Sequence, residues 1–351
     1  MSTLIEDYKY LHQIPEEGFK EYKTHKYIVE ELEKLDCLIF ELKPTGIIAF
    51  FNFNSKSSIA FRCELDGLPI NETNNFKYKS LHQGFMHACG HDGHMAILLG
   101  LARKLNNIKS KKNICLIFQP SEEKYGGAEF VINSPEYKSL NIEEVYALHL
   151  WPKLKKNTIG TRSGVLMASS TEIDIKIIGK SAHIADTSNG VNVIDVAFKL
   201  LSDIKANDVL FNCGKISSEG ARNIVCANIT LECSLRTLNK VKRKEFLKYI
   251  NNLCVNYTNL YNVNIYINSN RYLNPVVNSN RLFNKYRYSI DEIVSPVYQA
   301  EDFSVYGDCC ETLYLFLGIG DTPLLHENNF SFDLNVLDKG LKTLEMIAST
   351  H

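Results

Sequence analysis

Apolar runs of strand length alternate with helix-patterned segments through the first half of the chain, and this alternation restricts the fold more than any other feature. A helix through about residue 35 is followed by IIAFFNF, SIAFRCEL, the helical run AILLGLARKL, NICLIFQ, a helix near GGAEFVI, and EVYALHL. Strands interleaved with helices predict an α/β layer: a mixed, mostly parallel sheet flanked by helices. In such sheets functional residues collect beyond the C-terminal ends of the strands. The unusual residues fall there: CELD after IAFR, QPSEE after CLIF, and HLWP after VYAL.

From about residue 170 the period changes. TEIDIKIIGK and NIVCANITLECSLRT alternate as half-buried strands do, and they are separated by the helical runs VNVIDVAFKLLSDI and VKRKEFLKYINNLCVNY. The order strand, helix, two strands, helix, strand predicts an inserted α+β domain over 169–274, between first and second parts of one larger domain at 1–168 and 275–351. The chain of 351 residues carries 39 Lys+Arg against 40 Asp+Glu, a net charge of −1. No basic stripe stands out, which argues against a nucleic-acid partner. No run approaches the roughly 18 to 20 apolar residues of a membrane span, and the first residues do not read as an export leader. With ten cysteines but no CxxC pair, reduced thiols and a cytoplasmic location are expected.

HACGHDGH, residues 87–94, concentrates Cys89, His91, Asp92 and His94. Thiolate and imidazole together suit zinc or a similar transition ion. In FQPSEE, Glu122 and Glu123 follow an apolar strand. If the segment is extended, the two side chains point to opposite sides, one toward a cation and the other toward substrate. His149 in VYALHLWP and His326 in GDTPLLHENNFSF complete the set. Each histidine alone is also compatible with a structural role. Together with Cys89, His91 and Glu123 they number five candidate ligands, enough for two ions, which in bimetal sites stand about 3.5 to 4 Å apart.

HACGHDGH, QPSEE followed by GGA, HLWP, AEDFS and LHENNFSFD, in this order over essentially the whole chain, resemble the motifs of the aminoacylase and carboxypeptidase family of two-metal peptidases. The branch it is most similar to holds hippurate hydrolases, other N-acyl-amino-acid amidohydrolases and auxin-conjugate hydrolases. The resemblance implies a catalytic domain with an inserted lid that dimerises, and a homodimer. It implies two divalent ions (Zn, Mn, Co or Ni) on Cys89, His91, Glu123, His149 and His326, with Glu122 as general base. IAFRCELDGLPI is similar to the family strand that ends in a supporting carboxylate, here Asp66. GKSAHIA resembles the lid motif whose histidine, here His183, reaches a neighbouring subunit's site. Asn223 and Arg236 resemble lid residues that hold a substrate carboxylate.

The sequence departs from the family pattern at Glu64, at Ser181 and Ala182, in a proline missing after His183, and at Gln299. The metal and base positions are retained. The implied activity is hydrolysis of the amide bond of N-acyl amino acids. A dipeptidase or carboxypeptidase on the same scaffold is the alternative enzyme, and a non-catalytic metal-binding protein is the alternative class. Structural zinc sites are closed shells rich in cysteine, whereas here one cysteine, several histidines and a spare glutamate favour an open site.

Overall fold

The computed structural model describes residues 2–124, 126–269 and 271–351, which form two compact units. One contains the chain up to Leu166, Val277–Ser295 and Asp302–His351; the other contains Met167–Val276 and Pro296–Glu301.

The first unit is built on an eight-stranded sheet. Its order is Leu38–Leu42, Gly46–Phe51, Asn113–Gln119, Ser58–Glu64, Ile142–Pro152, Glu311–Gly320, Ile159–Thr161, Glu292–Ile293. The four central strands, from Asn113–Gln119 to Glu311–Gly320, run parallel, and antiparallel pairings begin on either side of them. Every residue of Ser58–Glu64 and Asn113–Gln119 is buried. A strand covered on both faces has no solvent side, so it reads as a continuous apolar run.

The helix His91–Leu105 packs on this sheet and against helices Ser2–His12 and Val336–Ser349. All its residues except Arg103 and Lys104 are buried, as expected of a helix that is apolar around its circumference. The N-terminal region differs from the sequence expectation of one helix through about residue 35. It forms two, Ser2–His12 and Tyr22–Leu32. Pro15 explains the break, because proline lacks the N–H needed to continue a helix and biases the residue before it away from α geometry.

The second unit is an antiparallel sheet in the order Asn264–Asn268, Ser169–Ile178, Asn228–Thr237, Leu210–Glu219, with Tyr272–Leu273 also paired to Ser169–Ile178. Along Asn228–Thr237 alternate residues Ile229, Leu231, Cys233 and Leu235 are buried. They share a core with Val196 and Leu200 of helix Val193–Asp203 and with Phe246 and Ile250 of helix Lys240–Tyr261. Period-two burial on one face is what an antiparallel sheet backed by two helices requires. All ten cysteines are free thiols. Among the described residues no helix is long and apolar enough to cross a membrane.

Candidate metal centre

The parallel strands of the first unit deliver their C-terminal ends to one place. Asp66 follows the strand ending at Glu64, Glu122 and Glu123 follow Gln119, His149 lies near the end of Ile142–Pro152, and His326 follows Gly320. Cys89 and His91 arrive at the start of helix His91–Leu105. Its N-cap, Gly90, has φ +82°, and a Cβ there would stand 2.8 Å from Leu150 Cδ1. Glycine therefore satisfies both the left-handed backbone and the close approach.

Potential ligand atoms from these segments lie within 4.8 Å of one another in overlapping groups: Cys89, His91 and His149; Cys89, Glu123 and His326; His91, Glu122 and Glu123. Cys89 belongs to two of them. Its Sγ is 3.5 Å from His149 Nε2 and 3.3 Å from His326 Nε2. Cys89, His91 and His149 are buried, the two glutamates half-buried and His326 exposed, so the cluster has a closed floor and an open side.

Hydrogen bonds set the orientation of each group. His149 Nδ1 donates to the Leu150 carbonyl at 2.7 Å, and His91 Nδ1 donates to the Asp66 carbonyl at 2.8 Å. In its neutral form each imidazole therefore carries its proton on Nδ1 and has Nε2 free to ligate, the arrangement in which a backbone acceptor fixes a ligand's tautomer. The Asp66 carboxylate accepts the backbone N–H groups of Glu122 and Glu123 at 3.1 and 2.9 Å. It thereby ties their loop to the strand end. Glu122 lies in a bend that leads into a turn at Glu123, and their carboxylates reach one cluster, which corrects the expectation of opposite-facing side chains. Ser121, at φ +53°, starts this turn, and the period of two holds only for extended backbone.

These residues fit divalent cations. His91 Nε2 and Glu123 Oε1 are buried without a hydrogen-bond partner; Oε1 lies 3.2 Å from His326 Nε2 but outside hydrogen-bond geometry. Such orphans are expensive unless something absent from the protein atoms completes them. Burial alone would push the His91 imidazole down. The hydrogen bond to Asp66 and the charges of Glu64, Asp66 and Glu123 outweigh burial and hold it at about 10. The same carboxylates that favour positive charge at this imidazole favour a cation beside it, and ligation requires the neutral imidazole. His149, buried beside His94, is pushed well below its usual range and presents a lone pair.

His94 also comes from the HACGHDGH segment, but both its nitrogens are engaged. Nδ1 pairs with Glu64 Oε2 at 2.7 Å and Nε2 accepts the Leu150 N–H at 2.9 Å. Behind it lies a buried network. Arg62 pairs with Glu64, with Asp302 Oδ1 at 2.7 Å and with Gln119 Oε1 at 2.9 Å. Asp302 also accepts from the Gln119 amide and from the Ala128 N–H at 2.9 Å. Burial would raise the Glu64 carboxyl, but Arg62 and His94 hold it well below the usual carboxylate range. Asp302 of the AEDFS motif is thus a structural anchor beneath the strand ends.

Sequence reasoning missed His12. This buried residue at the end of helix Ser2–His12 bridges Asp92 Oδ2 at 2.6 Å and Glu72 Oε1 at 3.1 Å; no pattern in an amphipathic helix marks it. Burial would lower its pKa, but the bonds to Asp92 and Glu72 raise it to about 9. Tyr8 and Tyr78 also pack against it. A folded-state pKa above the unfolded value of about 6.5 gives stability that is complete below that value and is lost as pH rises through the folded pKa. The unfolding free energy is therefore expected to fall by roughly 3 kcal/mol between pH 6.5 and 9.5, and His12→Gln should flatten that slope. Urea titrations of both proteins across this range check it, and parallel slopes would show that His12 is neutral.

His183, Asn223 and Arg236 belong to the second unit. His183 and Asn223 are exposed neighbours: the Ile184 N–H donates to the Asn223 carbonyl at 2.9 Å. Arg236 is half-buried on Asn228–Thr237, opposite Ser170 and Leu210. The cross-strand partner of Glu232 is Lys215, at 2.7 Å, and among the described residues Arg236 forms no ion pair.

The model of peptidase family M20/M25/M40 matches residues 60–350. The chain belongs to this family. The M20 chain is 31% identical over 299 residues to an N-acetyldiaminopimelate deacetylase from Exiguobacterium sibiricum, covering 82% of this chain and 80% of the relative. It is 29% identical over 370 residues to an N-acetyldiaminopimelate deacetylase from Lactobacillus helveticus, covering 98% and 96%. Among solved structures it superposes on the Bacillus subtilis YXEP protein, described as a dinuclear metal binding peptidase from the M20 family, with TM-score 0.87. The identity is 27%, with 99% of this chain and 97% of the other covered. The M20 chain is a metal-dependent amidohydrolase with a donor set for two divalent ions.

Proposed function

We propose that the protein hydrolyses the amide bond of N-acyl amino acids, with N-acetyl amino acids of the diaminopimelate type as the first substrates to test. The observation that carries this reading is the convergence of Cys89, His91, Glu123, His149 and His326 around one open cluster with the Glu122 carboxylate inside it. The curated relatives support an N-acetyl substrate.

In this reading Cys89, His91 and His149 would hold one ion, and Cys89, Glu123 and His326 would hold a second. Divalent ions bound there supply Lewis acidity to the amide carbonyl and acidify water. Glu122 takes the proton of the attacking water and delivers it to the departing amine nitrogen, the two half-tasks of one general acid–base. Asp66 keeps the Glu122 backbone in place. Residues 169–274 act as the inserted lid of a homodimer: His183 stabilises charge on the substrate oxygen in the partner's site, and Asn223 and Arg236 hold the substrate carboxylate, Arg236 as a bidentate donor.

The experiment is a panel of N-acetyldiaminopimelate, other N-acetyl amino acids, hippurate and dipeptides, run on protein stripped with chelator and reloaded with Zn, Mn, Co or Ni. Activity is expected to vanish on stripping, return with a divalent ion, and favour N-acyl amino acids over dipeptides. Preference for dipeptides would transfer the site to the peptidase reading, and a fully active monomer in sizing experiments would overturn the lid's role in trans.

A further inference from the structure

We propose that Glu21 is a positioning residue for the Glu122 and Glu123 pair: by accepting the Ser121 N–H it holds Ser121 in the left-handed conformation that turns both carboxylates into the cluster. This inference rests on the roles given above to Glu122 and Glu123. It concerns a residue in the segment that precedes the matched family region, which begins at residue 60.

The starting observation is the backbone of Ser121, with φ +53° and no side-chain exposure. A non-glycine residue in this region is strained and persists only where its surroundings over-determine it. Here they do. Glu21 Oε1 accepts the Ser121 N–H at 2.9 Å, while Glu21 Oε2 accepts the Thr45 hydroxyl at 2.5 Å. Glu21, Thr45 and Ser121 are all fully buried. Ser121 Oγ has no hydrogen-bond partner, so the serine side chain does not stabilise the turn itself.

Two glycines close the cage. A Cβ on Gly18 would stand 2.6 Å from Ser121 Oγ, and one on Gly127 would stand 1.9 Å from the Pro120 carbonyl oxygen and 2.8 Å from that of Ser121. Backbone has been brought against this turn from both sides at distances no other residue permits. Three consecutive amides are then held by two buried carboxylates: Ser121 by Glu21, and Glu122 and Glu123 by Asp66.

Asp66 by itself fixes the amides after the turn but not the φ of the residue that begins it. Were Ser121 to relax to extended backbone, adjacent side chains would diverge to opposite sides and one carboxylate would leave the cluster. Burial pushes the Glu21 carboxyl up to about 7, so a neutral amide is a close substitute for it. The interaction the turn needs is an acceptor for the Ser121 N–H.

The test uses the full chain and three variants, Glu21→Ala, Glu21→Gln and Thr45→Val. It reads Zn²⁺ affinity of the stripped protein by competition with a chromophoric chelator, kcat and KM on the best substrate of the panel, and the thermal midpoint. Removing a supporting partner of a metal site typically costs 10- to 100-fold in affinity or activity. Glu21→Ala is expected to lose that much in kcat and to weaken Zn²⁺ binding about tenfold, with KM changed less than about twofold.

Glu21→Gln should recover most of both losses, because its amide oxygen accepts from Ser121 and its NH₂ donates to Thr45. Thr45→Val, which keeps the shape and removes the hydroxyl, should move kcat and Zn²⁺ affinity in the same direction by a smaller factor; it carries the test if Glu21→Ala does not fold. A lower thermal midpoint with unchanged kcat and Zn²⁺ affinity would overturn the proposal, as would a Gln variant no better than Ala. Glu122→Gln measured alongside separates the two readings. If it stays active, the general-base assignment fails; if it is inactive while Glu21→Ala and Thr45→Val bind metal and turn over normally, the positioning role fails.

Discussion

Glu122→Gln is expected to lose about 10² to 10⁴ in kcat, the usual worth of a positioned general acid–base, while binding the same amount of metal as the native protein. The substitution leaves the backbone bond to Asp66 intact, because that bond uses the Glu122 N–H, and the amide side chain occupies nearly the same volume. What disappears is the group that accepts a proton. The expected pattern is a fall in kcat and kcat/KM together, which marks an interaction made in the transition state rather than in substrate binding. Steady-state kinetics with metal analysis on the same preparation decides it. A variant that keeps more than about a tenth of native kcat would remove Glu122 from the role of base, and loss of metal would move it among the ligands.

The second large effect is on stability and comes from beneath the site. Arg62→Met should destabilise the first unit by roughly 3 to 5 kcal/mol, the cost of breaking a buried ion pair from one side. The Arg62 guanidinium neutralises Glu64 and Asp302, and all three side chains are essentially without solvent. Methionine fills part of the volume but takes the shared cation from two buried carboxylates, leaving Glu64 with His94 and Asp302 with the Gln119 and Ala128 N–H groups, in a medium that solvates charge poorly. Against a total stability of typically 5 to 15 kcal/mol, the expected observation is a much lower urea midpoint and protein recovered largely in the insoluble fraction. A midpoint within about 1 kcal/mol of native would show that Glu64 or Asp302 protonates or that water reaches the network.

The parallel sheet was legible because its central strands are covered on both faces, which forces runs such as SIAFRCE and NICLIFQ into the sequence. The candidate ligands were legible for a related reason: they interrupt those runs at strand ends, where a buried-type segment suddenly carries Asp66, Glu122 and Glu123, or His149. Less could be read where the chain turns. The helix break at Pro15 and the turn at Ser121 each depend on one residue's backbone geometry, and the second is a serine, which nothing in a one-dimensional pattern assigns to φ +53°. His94 and His91 are alike in the sequence, three residues apart in one motif. Only their partners distinguish them, with both nitrogens of His94 consumed by Glu64 and Leu150 and Nε2 of His91 left open.

The sequence by itself determined the alternation that makes an α/β sheet with an inserted antiparallel layer, the family to which the chain belongs, and the chemical types able to hold divalent ions. It did so because burial and ligand softness are properties of residue type and spacing. The tertiary structure alone decided which of those side chains meet, which tautomer each histidine presents, and that His12, Glu21 and Arg62 stand behind the site. Those outcomes depend on distances between residues far apart along the chain, 100 between Glu21 and Ser121 and 240 between Arg62 and Asp302, and no local pattern encodes a contact closed only by folding.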